Sequence, residues 1–258
     1  MPFLIYLYMP KIVTHHGGFG NSKARIPDIL ILKLIHMCFS ASASFGAGTV
    51  LATINVMTIK KIQEPSQVFF ACIPLLFCVQ QISEGLLWLS LSNPDFLEFK
   101  KPTIYIFLIF AQVIWPIWVP YSILKLEKNS RLYRFQKMLL GIGLLVSLYL
   151  GFCLINYPVD AKIIGNHISY KQDYPIIFGG YGDLLYSIAT IFPSLISSVK
   201  HMWILGITIL ISYFITLLIY TDYVISVWCF FASVISITVL FIMQEMKIRN
   251  EKIAYFNS

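Results

Sequence analysis

The chain has 258 residues, of which 58% are hydrophobic and only 12% are charged, and its mean hydropathy is +0.76. Soluble domains have roughly 45–50% apolar and about 25% charged residues, so a soluble globule of this size cannot bury so much apolar surface. These values predict an integral membrane protein and exclude soluble enzymes and disordered tails. The net charge of +7 is spread over short loops. This pattern indicates membrane orientation and not nucleic-acid binding.

The first 36 residues form an N-terminal extension unlike the rest of the chain. Its two apolar runs, at 1–8 and 26–35, are too short to span a bilayer, and it lacks the basic region and cleavage site of a signal peptide. We hypothesise that translation starts at Met37, which would place Cys38 at or near the N-terminus. N-terminal peptide mass spectrometry of the native protein tests this, and a peptide from residues 1–36 would refute it.

From residue 37 to residue 246 the sequence predicts an all-α, polytopic membrane bundle. About seven stretches are long enough, or nearly so, to cross about 30 Å of hydrocarbon at about 1.5 Å per residue. They lie at about 40–59, 68–91, 104–124, 138–157, 184–199, 202–220 and 223–243. The fifth is the weakest, because it is short and contains Pro193. Pro116 and Pro120 are expected to kink or break the third. Period-two alternation is absent, which favours helices over a barrel.

Lys and Arg are unevenly distributed between the two sets of loops. The loops after the first, third and fifth spans and the tail at 247–258 hold eleven, whereas the opposite loops hold four. The positive-inside rule therefore predicts a cytoplasmic C-terminus and an outward-facing start of the first span. Four further cations in residues 1–36 weaken this bias. The predicted location is the bacterial inner (plasma) membrane, with the lipid bilayer as partner and no nucleic acid.

Small residues at four-residue spacing predict the surfaces through which the helices pack, because lipid-solvated helices associate by close backbone approach. Such ridges occur on the first, fourth and fifth spans. Their members are Ser40, Ser44, Gly48 and Ala52, then Gly143, Ser147 and Gly151, then Thr190, Ser194 and Ser198.

Glu84 is the one acidic residue that lies clearly inside a predicted span. Insertion scales give a cost of at least about 2.5 kcal/mol for a carboxylate there, which makes it a site candidate by default. Gln81, Glu84 and Trp88 share one helix face, and Gln80 reaches Glu84 at i+4. These residues therefore predict a polar patch directed into the bundle.

Other polar or reactive residues fall in the same outer half, beneath an outer loop at 158–183. This loop contains the flexible sequence Gly179-Gly180-Tyr181-Gly182, suitable for a cap over a cavity. The ligand-binding candidates are Glu84, Gln80, Gln81, Trp88, Gln112, Trp228, Cys229, Ser40 and His167. No catalytic residue is assigned, and neither a metal nor a cofactor is predicted. An equally open interpretation is that Glu84 is protonated, hydrogen-bonded to a nearby glutamine, and only fixes helix register.

Several enzyme templates have no counterpart in the sequence. The patterns H-E-x-x-H and G-x-S-x-G are both missing, and the last span has no lysine for a retinal Schiff base. Inverted repeats are not visible. The five cysteines lie in apolar stretches without C-x-x-C spacing, so we interpret them as buried thiols.

Four separated motifs carry a family resemblance. They are MCFSASASF at 37–45, QQ-x-x-EG-x-x-W at 80–88, WP-x-W-x-P at 115–120 and SVWCFFA at 226–232. Over about residues 37–242 the chain resembles an uncharacterised bacterial family of multi-span membrane proteins whose members typically start at M-C-F-S-A. The resemblance implies no activity, substrate or catalytic residue. It supports Met37 as the start.

Three functional hypotheses remain open. The first is a protein that binds or transports a small molecule or a proton through an outward-facing polar pocket around Glu84. The second is an intramembrane enzyme with Glu84 as general acid or base, and with Cys38 or Cys229 as nucleophile or His167 descending from the loop. It ranks lower, because no neighbour that would lower a thiol pKa is evident. The third is an assembly or scaffold protein whose polar patch orders helices.

Overall fold

The computed structural model describes residues 40–165, 167–175, 181–219 and 224–256, and at 217–219, 224–230 and 253–254 it describes the backbone alone. The N-terminal extension, Cys38, Gly179 and Gly180 lie outside these residues.

Nine α-helices occur in the described residues. They are α1 (Ala41–Ile59), α2 (Val68–Ala71), α3 (Ile73–Ser92), α4 (Lys100–Leu108), α5 (Trp115–Leu126), α6 (Ser130–Asn156), α7 (Gly182–Leu195), α8 (Met202–Ile219) and α9 (Val224–Phe256). Short 3-10 turns at Pro65–Gln67 and Pro94–Phe99 precede α2 and α4, and a π-helical segment at Ile109–Ile114 joins α4 to α5. The predicted all-α membrane bundle is confirmed.

Five helical stretches of the described chain are long and apolar enough to cross a membrane. They are Ala41–Ile59, Pro65–Ser92, Pro94–Leu126, Ser130–Asn156 and Phe231–Lys252. The predicted fifth span corresponds to α7, whose 14 residues reach only about 21 Å. The predicted sixth corresponds to α8, with a shorter apolar stretch at Met202–Thr216.

Two helices extend beyond their predicted spans into water. Helix α6 begins at Ser130, since the Asn129 side chain caps it by accepting from the backbone N–H groups of Arg131 and Leu132. Helix α9 continues to Phe256 through the tail predicted at 247–258. Lys247 and Glu251 form an i,i+4 pair there, with their charged atoms 3.6 Å apart. Charged residues mark where a span leaves hydrocarbon, but they do not end a helix.

The outer loop contains an antiparallel hairpin of β1 (Val159–Ile164) and β2 (His167–Gln172), which the sequence interpretation missed. Gly165 takes a φ of +61° at its turn, a conformation that costs glycine little. Strand β1 contacts α3 and α4, and β2 contacts α9. We call the end of the bundle that carries these two strands the hairpin end. Lys100 at the start of α4 pairs with Asp160 at 2.7 Å, and this contact lowers the pKa of the Asp160 carboxyl.

The long helices form a closed ring. Helix α1 packs on α3 and α9, α9 on α8, α8 on α7, and α7 on α5 and α6. The small-residue ridge of α1 faces α3, because a Cβ at Gly48 would lie 3.2 Å from Ile82 Cγ1. The Cys78 thiol also donates to the Gly48 carbonyl oxygen at 3.2 Å. The ridge therefore brings two backbones close together, as its spacing predicts.

Candidate buried polar site

Helix α3 turns its polar face into the bundle and its apolar face outward. Gln80, Gln81 and Glu84 are 2–3% exposed. Val79, Ile82 and Leu86 are exposed on the other side. The carboxyl group of Glu84 is thus surrounded by protein, whereas the alternating aliphatic residues are available to lipid.

Each amide side chain on the polar face of α3 forms a hydrogen bond. Gln81 Nε2 donates to Glu84 Oε2 at 3.5 Å, within α3 itself. Gln80 Oε1 accepts from the Trp115 indole Nε1 at 2.8 Å, which joins α3 to the first turn of α5. Trp88, one turn beyond Glu84, packs in an apolar cluster with Phe107 and the hairpin residues Ile168 and Tyr170. The polar layer therefore lies beneath the hairpin.

Gln112 lies in the π-helical segment and is 1% exposed. Its Nε2 donates to Gln172 Oε1 on β2 at 2.8 Å, and Gln172 Nε2 donates to the Tyr174 hydroxyl at 3.3 Å. Its Oε1 is buried and has no hydrogen-bond partner among the described residues. Unpaired buried acceptors are rare in native proteins and call for an explanation.

Side chains from neighbouring helices satisfy the carbonyl groups of the π-helical segment. The Tyr186 hydroxyl donates to the Ala111 carbonyl at 2.6 Å, and the Ser147 hydroxyl donates to the Val113 carbonyl at 2.8 Å. Pro116 has no N–H to offer the segment, so these external donors replace the missing helix bonds. The irregular backbone that positions Gln112 is thus held by α6 and α7. Such π turns occur frequently at functional sites.

Gln112 is connected to α3 only through the hairpin, since its described hydrogen bond goes to Gln172 on β2 and not to Glu84. The remaining candidates have no described contact with either group. Ser40 Oγ accepts from the Ala43 N–H at 3.2 Å, so this hydroxyl caps α1. His167 is half-buried beside the hairpin turn, where burial lowers its pKa and favours the neutral ring. Trp228 and Cys229 lie on α9, but their side chains are outside the described residues. Three thiols, those of Cys72, Cys78 and Cys153, are free.

Sequence reasoning missed two polar residues near Gln112: Gln172, which accepts from its side chain, and Tyr186, which donates to the carbonyl oxygen of Ala111. Tyr186 resembled a member of an ordinary interfacial belt, and Gln172 is one polar residue among many in a loop. Only the hairpin register and the packing of α7 bring them to the third span.

A second buried carboxylate, Glu127, lies at the opposite end of the bundle. It accepts from the backbone N–H of Asn129 at 2.9 Å, from the Ser197 hydroxyl at 3.2 Å, and from both the backbone N–H (2.9 Å) and the hydroxyl of Ser198. Burial alone would raise its pKa, but these hydrogen bonds to the charged form outweigh burial and lower it. Glu127 therefore ties the α5–α6 turn to the α7–α8 turn as a carboxylate.

The model of DUF6629, described as a family of unknown function, matches residues 37–254. The chain belongs to the DUF6629 family. The match in this DUF6629 member begins at Met37 and includes the Glu84 layer, the π-helical segment and the hairpin. No curated protein matches the chain, and neither does any solved structure.

Metal chemistry gains no support from the part of this DUF6629 member that the structure describes. Within it, no group of three or more His, Cys, Asp or Glu side chains could hold a metal ion. The described polar residues comprise the carboxyl group of Glu84, four amides and the Trp115 indole. The four amides are those of Gln80, Gln81, Gln112 and Gln172. Such a set can donate hydrogen bonds and accept them.

Proposed function

We propose that this DUF6629 member binds, and carries across the membrane, a proton or a small molecule rich in hydrogen-bond donors. The site is the Glu84 layer beneath the hairpin. The observation that carries this proposal is the buried Oε1 of Gln112, which lacks a partner among the described residues. Leaving such an acceptor unpaired costs about 1–3 kcal/mol, and a donor on a bound molecule would remove that cost.

The chemistry of the layer limits the class of ligand. Gln112 Oε1 is an acceptor with no partner among the described residues, whereas Glu84 Oε2 and the Gln80 and Gln172 oxygens already accept from protein donors. A primary amine or a hydroxyl-bearing molecule matches these groups better than an anion does. A carboxyl group inside a membrane span is also a default candidate for a proton-carrying group.

Access to the layer from the hairpin end would require the hairpin to move. The hydrogen bond from Gln112 to Gln172 and the cluster around Trp88 hold the hairpin down. Opening would break the Gln112–Gln172 bond, so site and cap are coupled through one amide. This coupling is what a capped binding or transport site needs.

The test uses the full chain reconstituted in proteoliposomes. Proton flux is measured with a pH-sensitive dye under an imposed pH gradient, and thermal shifts are measured with ethanolamine and putrescine as probes. Glu84→Gln and Gln112→Leu remove one acceptor each. Glu98→Gln and Gln63→Leu are the matched controls, since both residues are exposed.

We expect the wild type and both controls to conduct protons or to be stabilised by an amine. The two site variants should have a proton flux or an amine affinity at least about tenfold below that of the wild type, with a normal yield of protein. Wild-type behaviour of Glu84→Gln in both assays would refute the proposal. A fall in yield and melting temperature with no separate loss of flux or binding would instead indicate the scaffold role.

A further inference from the structure

A cleft of about 550 Å³ lies at the end of the bundle opposite the hairpin. Its walls come from the turns between α1 and α2, between α5 and α6, and between α7 and α8, and from the part of α9 that extends beyond the ring. This volume is within the range of sites that hold small molecules. The polar layer around Glu84 plays no part in it.

The wall supplied by α9 is one face of the helix. Glu245, Arg249, Lys252 and Phe256 follow each other at intervals of four, three and four residues, so they point in one direction. Lys128 and Lys200, each on an inter-helix turn, also line the cleft. Cations from α9 and from two turns thus border the cleft.

The charges that line the cleft are only partly neutralised by protein. Lys128 pairs with Glu64 at 3.9 Å, and Glu245 faces the His201 ring at 3.6 Å. Within the described part of the chain, Lys200, Arg249 and Lys252 form no ion pair and are exposed. Two acids and four cations therefore leave an excess of positive charge in a concave site.

Five apolar residues also line the cleft, namely Leu126, Val199, Met246, Ile248 and Phe256, together with the polar residues Ser66, Gln67, Ser198 and Asn250. Leu126 is the last residue of α5, a helix of the membrane-spanning set. An apolar surface that adjoins the end of a span, beside unpaired cations, matches a molecule with a phosphate group and a hydrocarbon part. A free phosphate compound would gain nothing from the apolar walls.

We propose that this cleft binds the phosphate group of an anionic phospholipid. Lys200 and Arg249 approach the phosphate from the two walls, and the start of an acyl chain lies against Leu126 and Met246. The site is independent of the Glu84 layer, so either proposal can fail without the other.

The experiment is native mass spectrometry of the full chain, purified in a neutral detergent and titrated with phosphatidylglycerol or phosphatidylcholine. The variant Lys200→Gln/Arg249→Gln removes two cations of the cleft. Lys101→Gln/Lys162→Gln removes two exposed cations at the hairpin end and is the charge-matched control. Competition with glycerol 3-phosphate distinguishes a lipid from a soluble phosphate compound.

The wild type and the control should retain one phosphatidylglycerol in preference to phosphatidylcholine. Each cation near an anionic lipid changes affinity by about fivefold, so the cleft variant should bind roughly 25-fold more weakly. Equal binding by the cleft variant and the control would overturn the proposal, and so would equal retention of the two lipids. Displacement of the lipid by an equimolar amount of glycerol 3-phosphate would also overturn it, since the ligand would then be a soluble phosphate compound.

Discussion

The contact between Gly143 on α6 and Pro116 on α5 allows a worked prediction of stability. A Cβ placed on Gly143 would lie 1.8 Å from the Pro116 carbonyl oxygen and 2.9 Å from its carbon. Because Pro120 has no N–H, the Pro116 carbonyl lacks its usual helix partner and projects toward α6. Carbon and carbonyl oxygen atoms in contact normally stand about 3.3–3.6 Å apart. Gly143→Ala must therefore separate the two helices by about 1.5 Å.

Separating the two helices changes the free energy of unfolding through two unfavourable contributions and one favourable contribution. Overpacking of a filled interface costs about 1–3 kcal/mol, and the nearby hydrogen bond from Ser147 to the Val113 carbonyl is worth about 0.5–1.5 kcal/mol. Replacing glycine by alanine inside a helix stabilises the helix by about 0.8–1 kcal/mol. The net loss is about 2 kcal/mol, which corresponds to a fall in Tm of about 4–8 °C.

Gly141 supplies the control, because a Cβ at that position meets no atom within 4 Å. Gly141→Ala should raise Tm by about 2–4 °C through helix propensity alone. Unfolding of the full chain in detergent can be followed by reaction of the buried thiols Cys78 and Cys153 with a fluorogenic maleimide. A Tm of Gly143→Ala equal to or above that of Gly141→Ala would show that α5 and α6 do not approach each other this closely.

Two further predictions concern buried polar groups. Glu127→Gln should lower stability at neutral pH by about 1.5–3 kcal/mol, since charge-assisted hydrogen bonds are lost. Because the pKa of Glu127 is lower in the folded than in the unfolded state, where it is about 4.3, its stabilisation is lost as pH falls below that value through the folded pKa. Wild-type melting temperatures should therefore fall more steeply below about pH 4.3 than those of the variant. An equal decline in the two proteins would contradict this account. Tyr186→Phe leaves the Ala111 carbonyl without its donor and should cost about 1–3 kcal/mol in the same thiol assay, whereas Tyr133→Phe, at an exposed position, should be neutral.

The parts of the fold that rest on local chemistry could be predicted from the sequence. The first span was expected at 40–59 and α1 occupies Ala41–Ile59, because a serine cap and an apolar run define it without help from other helices. The ridge at Gly143 and Ser147 was also visible, since four-residue spacing alone places these residues on one face. Its partner, the π-helical segment, was not visible.

What escaped prediction depends on contacts between distant residues. Pro116 signals a break in the third span, but the π-helical form of that break depends on Ser147 and Tyr186, 34 and 75 residues away from their acceptors. The partner of Gln112 lies 60 residues along the chain, on a strand. The hairpin itself did have a signal, the Gly-Asn pair at 165–166 between two runs with β-forming residues.

The length of α9 has a mechanical consequence. Its 33 residues extend for about 50 Å, roughly 20 Å more than the hydrocarbon layer is thick. A tilt of about 10° in the embedded part would swing the last turn sideways by about 3.5 Å, if the rod stays straight over those 20 Å. Small rearrangements within the bilayer would therefore be amplified in the aqueous phase as displacement of the Tyr255 and Phe256 rings.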